Sequence, residues 1–108
     1  MKPKHEESKK YRVSADLKPF IRGVLIRGFY HVRFAKEDEQ WYCYTNCTSD
    51  AFHKVVQRAK CEKISKENGG ALYVTEVEAR NQGLINELMK QKGVNSYRIL
   101  RKEKETDS

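Results

Sequence analysis

Ile21-Arg22-Gly23-Val24-Leu25-Ile26-Arg27-Gly28-Phe29-Tyr30-His31-Val32-Arg33-Phe34 is the stretch on which the reading of the fold turns. It is dense in β-branched and aromatic residues. Tyr30, Val32 and Phe34 alternate with Phe29, His31 and Arg33, the two-residue period of a strand with unlike faces. The stretch is therefore predicted to be one long strand, bent or bulged at Gly23 and Gly28, where a missing side chain weakens the ladder. Toward the C-terminus, Lys36-Glu37-Asp38-Glu39 has the polarity of a hairpin turn leading into a second strand over Gln40–Thr45. Toward the N-terminus, Tyr11–Val13 reads as a short strand ended by the turn-prone Asp16 and Pro19.

Further along, the pattern changes from strands to helices. Thr48, Ser49 and Asp50 are suited to cap a helix, and Phe52, Val55, Val56 and Ala59 fall on one helical stripe. That helix is predicted to run to about Glu67 and to stop at Asn68-Gly69-Gly70. A short strand over 71–75 follows, then a second helix from Glu78 to Lys92 closed by Gly93, and a last strand over 96–101. The order ββαβαβ, with a short strand possible ahead of it, predicts an α+β fold of the two-layer sandwich type. Its antiparallel or mixed sheet of four to five strands would carry two helices on one face.

Length and composition set the frame for function. The chain has 108 residues, 38% hydrophobic and 34% charged, and a net charge of +7. That length suits a single domain, predicted here as residues 10–102 between a basic tail (1–9) and a C-terminal tail (103–108). The first ten residues have no apolar core of a secretory signal, and no run approaches a membrane span, so a cytoplasmic or nuclear location is expected and no membrane partner. Three cysteines cannot close into a disulfide framework, which fits a reducing compartment. The positive charge is uneven: Arg22, Arg27 and Arg33 lie in 21–35 without a single acid, the kind of footprint that phosphates recognise.

If helices cover one sheet face, alternate strand residues line the other. Phe29, His31 and Arg33 on the long strand, Tyr42 and Tyr44 on its partner, Tyr73, and Tyr97 or Arg98 at the end are the candidates. Aromatic rings beside arginines form a stacking platform for unpaired bases, with Arg22, Arg27, Arg33 and Arg98 on phosphates. Arg27-Gly28-Phe29-Tyr30-His31-Val32-Arg33-Phe34 resembles the aromatic octapeptide of RNA-recognition-motif domains, matching at Arg27, Gly28, Phe29, Val32 and Phe34 and departing at Tyr30 and His31. The resemblance implies that Phe29 and His31 face bases with Arg27 near phosphate. The order of elements around the octapeptide differs from that family's, and the chain is not assigned to it.

The expected function is a non-enzymatic nucleic-acid-binding module favouring single strands, RNA ahead of DNA, without a cofactor. The alternative is a protein-interaction domain (an adaptor, assembly subunit or small inhibitory protein, or a homodimer) using the same aromatic patch or an edge strand. Cys43, Cys47, His53 and Cys61 are residue types that ligate zinc, but their C-x3-C-x5-H-x7-C spacing fits no usual site, and His53 and Cys61 stand two helical turns apart. Free thiols in or near the core are expected instead, with no metal site. His31, His53 and Lys54 do not by their positions define an acid–base pair, and no enzyme activity is expected.

Overall fold

A computed structural model describes residues 8–101. The C-terminal tail expected over 103–108 lies outside them, as do residues 1–7 of the expected N-terminal tail, whereas Lys9 opens the first strand. The described elements are β1 (Lys9–Val13), a 3-10 turn (Ala15–Leu17), α1 (Lys18–Arg27), β2 (Arg33–Glu37), β3 (Gln40–Thr45), α2 (Ser49–Glu67), β4 (Leu72–Val74), α3 (Glu76–Ala79), α4 (Gln82–Lys92) and β5 (Tyr97–Ile99). The protein is α+β. Its contacts gather into two units, one ending at Lys60 and the other beginning at Cys61. Its strands form a three-stranded antiparallel sheet and a two-stranded parallel one, not the single sheet of four to five strands that the ββαβαβ order implied.

The largest correction falls on the opening stretch. Ile21 to Arg27 is helical, and only Arg33 and Phe34 of the expected strand are extended. Leu17, Ile21 and Leu25 are buried at four-residue spacing, with Phe20 and Val24 packed beside them. Those positions form one helical stripe, and burying them against a sheet outweighs the modest β-preference of Ile and Val. Pro19 sits in the first turn of α1, where its missing N–H costs nothing.

In the first unit the sheet order is β1-β3-β2, with β3 in the centre. Two φ-positive residues, Asp38 (51°) and Glu39 (68°), make the tight turn between β2 and β3. Such a turn matches the right-handed twist of the strands it joins. Register places Tyr11, Val13, Trp41, Cys43, Thr45 and Phe34 on one face. The core forms on that side, where Val13 and Cys43 pack with Ile21 and Leu25 of α1 and with Phe52, Val55 and Ala59 of α2. Tyr11 stacks on Phe52 with centroids 4.1 Å apart, and its hydroxyl donates to the Cys47 carbonyl at 2.6 Å. Trp41 packs against this core as well, with Lys18 Nζ 3.1 Å from its ring centroid.

The second unit is a parallel pair joined through helices. Leu72, Val74 and Ile85 are its buried centre, with Leu88, Met89, Val94, Tyr97 and Ile99 packed around them. The helix expected from Glu78 to Lys92 is two helices. Thr75 and Glu78 form a reciprocal capping box on α3, and the Asn81 side chain caps α4 by accepting from the Leu84 N–H at 3.1 Å. An Asx side chain competes with the helical backbone for that N–H, so the chain breaks at Asn81. The expected stops hold: Gly69 and Gly70 are φ-positive, and Gly93 closes α4 at φ 70°.

Candidate functional site

The outer face of the three-stranded sheet follows from its register. Tyr44 lies opposite Lys10 on one side and Arg33 on the other, and Tyr42 lies opposite Arg12 and Ala35. Directly opposed residues of antiparallel strands share a face, so Lys10, Arg12, Arg33, Tyr42, Tyr44 and Glu37 stand together. All of the unit's buried strand residues belong to the opposite face. Arg33, Tyr42 and Tyr44 were expected here. Lys10, Arg12 and Glu37 were not, because the sequence reading left Lys10 and Arg12 unused and put Glu37 in a turn.

Side-chain geometry ties the face into a lattice. Lys10 Nζ is 4.4 Å from the Tyr42 ring centroid, and the Arg33 guanidinium carbon is 4.2 Å from that of Tyr44. These distances are within the range at which a cation is held by a ring face. Glu37 closes the lattice, accepting from Lys10 Nζ at 2.9 Å and from the Tyr44 hydroxyl at 2.7 Å. The hydrogen bond from Lys10, then that from Tyr44, holds the Glu37 carboxyl below its ordinary range. Lys10 is correspondingly raised, chiefly by its bond to Glu37, and the Tyr44 phenol is raised because its proton is donated to that carboxylate. Among the described residues, the face thus carries three cations, Lys10, Arg12 and Arg33, against one carboxylate, Glu37.

The remaining expected residues fall elsewhere. Arg22 and Arg27 are on α1 instead of a strand, and Arg98 is on β5, in the second sheet, paired in register with Tyr73. Phe29 and His31 lie in the loop between α1 and β2, so the octapeptide likened to an RNA-recognition motif runs from a helix end through a loop into a strand. The His31 N–H donates to Asn46 Oδ1 at 3.1 Å, which fastens this loop to the residue after β3, beside the Arg33–Tyr44 end of the sheet.

Phe29 is the unusual residue of that loop. Its φ is 66° and it is 95% exposed. Tyr30 N–H bonds to the Leu25 carbonyl and Phe29 N–H to that of Ile26, the paired bonds of a Schellman ending. The left-handed position of that ending normally takes glycine, and here it takes phenylalanine. Gly28, one residue earlier at φ −91°, answers a different need, since a Cβ there would meet the Tyr30 ring at 3.2 Å. Because Tyr30 packs against the core, the ending cannot slide back to use Gly28. A solvent-facing aromatic residue of this kind contributes nothing to the core.

The cysteines are core residues. Cys43, Cys47 and Cys61 are all buried, while His53 is exposed. Burial, with a smaller effect from nearby Cys47, pushes the Cys43 thiol up to about 12, and burial raises Cys47 also. Among the described residues, no group of three or more His, Cys, Asp or Glu is placed to hold a metal ion. No described helix is long and apolar enough to cross a membrane. Compared with protein-family models, with curated proteins and with solved structures, the chain matches none.

Proposed function

We propose that this protein is a non-enzymatic nucleic-acid-binding module that takes single strands, RNA ahead of DNA, on the outer face of its three-stranded sheet. The observation that carries the reading is the juxtaposition of Tyr42 and Tyr44 with Lys10, Arg12 and Arg33 on a face away from the core. Rings offer stacking to any unpaired base, at about 1–3 kcal/mol each, and cations follow the backbone. Lys10 and Arg33 now lie over the two rings. Both are flexible side chains, so bases reach the rings as the cations move to phosphates. Phe29 and His31, at the sheet's end, extend the path by one more aromatic contact.

Fluorescence anisotropy with labelled single-stranded RNA, single-stranded DNA and duplex tests the reading. Three phosphate contacts predict a salt slope of about −2 for a single strand, so affinity should drop about 20-fold from about 50 to about 200 mM salt. Tyr42→Ala and Phe29→Ala should each weaken binding while the protein stays folded. Absence of binding at low salt would remove the reading. A protein-interaction domain is the second reading, favoured by the exposure of Phe29 (95%) with Ile26 (47%) on the same chain segment and by β1 and β2 lying at the sheet's edges. Sedimentation at several concentrations, and oligonucleotide-free partner binding lost in Phe29→Ala, would support it.

A further inference from the structure

Glu37 is out of place on a surface that attracts phosphate. It is anionic, sits among the cations, and is held by donors from two different strands, Lys10 of β1 at 2.9 Å and Tyr44 of β3 at 2.7 Å. A carboxylate and a phosphate group are chemically alike to these donors, since both are acceptor-only anions with adjacent oxygens. We propose that Lys10 Nζ and the Tyr44 hydroxyl, flanked by the Arg33 guanidinium, form an oxyanion site for one backbone phosphate of the bound strand, a site the chain fills with its own Glu37 until the strand displaces it. This rests on the nucleic-acid reading above and adds to it the position of one phosphate and a built-in competitor.

Three observations favour displacement over a fixed structural pair. The side chains of Lys10 and Glu37 are 47% and 42% exposed, so the carboxylate can turn into water without opening the core. Glu37 is the last residue of β2, next to the Asp38–Glu39 turn, where the side chain has room to swing. The same bond that engages Lys10 with Glu37 keeps its ammonium 4.4 Å from the Tyr42 ring centroid, over the surface a base would use. Replacing Glu37 by a phosphate at the same donors would draw Lys10 toward the strand and uncover Tyr42. A Glu37 carboxyl held below its ordinary range remains anionic, and so competes, throughout the neutral range.

The test compares Glu37→Gln, Glu37→Asp and Glu39→Gln with the wild type in the anisotropy titration. Glu37→Gln removes the competing charge and should raise affinity about three- to tenfold, a range set by the modest worth of an exposed ion pair plus the repulsion it relieves. Its salt slope should stay near that of the wild type, because Lys10 contacts phosphate in the bound state of both proteins. Glu37→Asp keeps net charge but withdraws the carboxylate by one methylene, so it should show a smaller gain in the same direction. Glu39→Gln makes the same charge change on a residue whose side chain is 92% exposed and outside the site, and should change affinity less than twofold. Inorganic phosphate and vesicles containing an anionic phospholipid serve as competing probes. Strong displacement of the oligonucleotide by phosphate from Glu37→Gln, and weak displacement from the wild type, is the expected pattern.

Wild-type binding with no gain in either Glu37 variant, or an equal gain in Glu39→Gln, would overturn the self-occupied site and leave the nucleic-acid reading standing. No oligonucleotide binding by wild type or variants, or binding to vesicles alone, would overturn both.

Discussion

Replacing Phe29 by glycine should make the protein more stable and less able to bind. Phe29 occupies the left-handed region at φ 66°, where a side chain crowds the backbone at a cost of about 1–2 kcal/mol. Its ring is 95% exposed, so removing it forfeits almost no buried surface. Against this, glycine gives the unfolded chain more freedom, a loss of about 0.5–1 kcal/mol. The net expectation is a gain of about 0.5–1 kcal/mol, or a rise in Tm of about 2–6 °C for a protein of this size. Urea unfolding followed by Trp41 fluorescence is a suitable assay because Trp41 packs against the core, on the face opposite the proposed site. Phe29→Ala is the control: alanine keeps the strain and should leave the midpoint near that of the wild type. If Phe29→Gly is no more stable than Phe29→Ala, the strain argument is wrong. If either variant is destabilised by more than about 1 kcal/mol, the ring has a packing role that its exposure denies. Loss of one base stack should lower oligonucleotide affinity in both by roughly 5- to 150-fold. Stability gained where binding is lost is the usual sign of a residue kept for function.

Lys10→Met should let the Glu37 carboxyl rise toward its ordinary value, read by side-chain NMR titration; an unmoved titration would show that the Lys10 bond is not what holds it down. In the wild type a carboxyl depressed by folding contributes stability that is fully present above its unfolded value. That contribution is lost as the pH falls through the lower, folded one, so the stability difference between wild type and Lys10→Met should shrink on acidification. Cys43, Cys47 and Cys61, each 0% exposed, should resist a thiol reagent in the folded protein and react promptly in urea. Fast labelling of any of them in native buffer would contradict that burial. Thr75→Ala removes the hydroxyl of the α3 capping box and should cost about 1 kcal/mol in urea unfolding, while an unchanged midpoint would mean the box contributes nothing.

The local signals in this chain were legible because each depends only on neighbouring residues. The strand over Gln40–Thr45, the helix ending at Glu67 and the stops at Gly69-Gly70 and Gly93 rest on alternation, helical periodicity and left-handed glycine, and all appear where expected. The face shared by Arg33, Tyr42 and Tyr44 was also foreseeable, since the β2–β3 turn sets the pairing of its two strands. The stretch from Ile21 to Phe34 was not settled locally. Leu17, Phe20, Ile21, Val24 and Leu25 do carry a helical stripe, but it is followed within four residues by the alternation of Phe29 to Phe34, and only burial against the sheet decides where the helix gives way. Pro19, taken as a breaker, was in fact a first-turn residue.

Membership of the site depended on tertiary structure still more. Lys10 reaches Glu37 across 27 positions of chain, and Tyr11 is bound to Cys47 across 36, pairings that no window of sequence contains. The division of the five described strands into an antiparallel three and a parallel two is decided the same way. Sequence by itself determined the α+β character, the basic charge and several of the element ends, among them those of β3 and the stop of α2, because propensity and periodicity act within a few residues. Only the tertiary structure decided that α1 is a helix, which cations meet the tyrosines and that a carboxylate closes the site. Those outcomes follow from which surfaces bury one another and from register between strands distant in the chain.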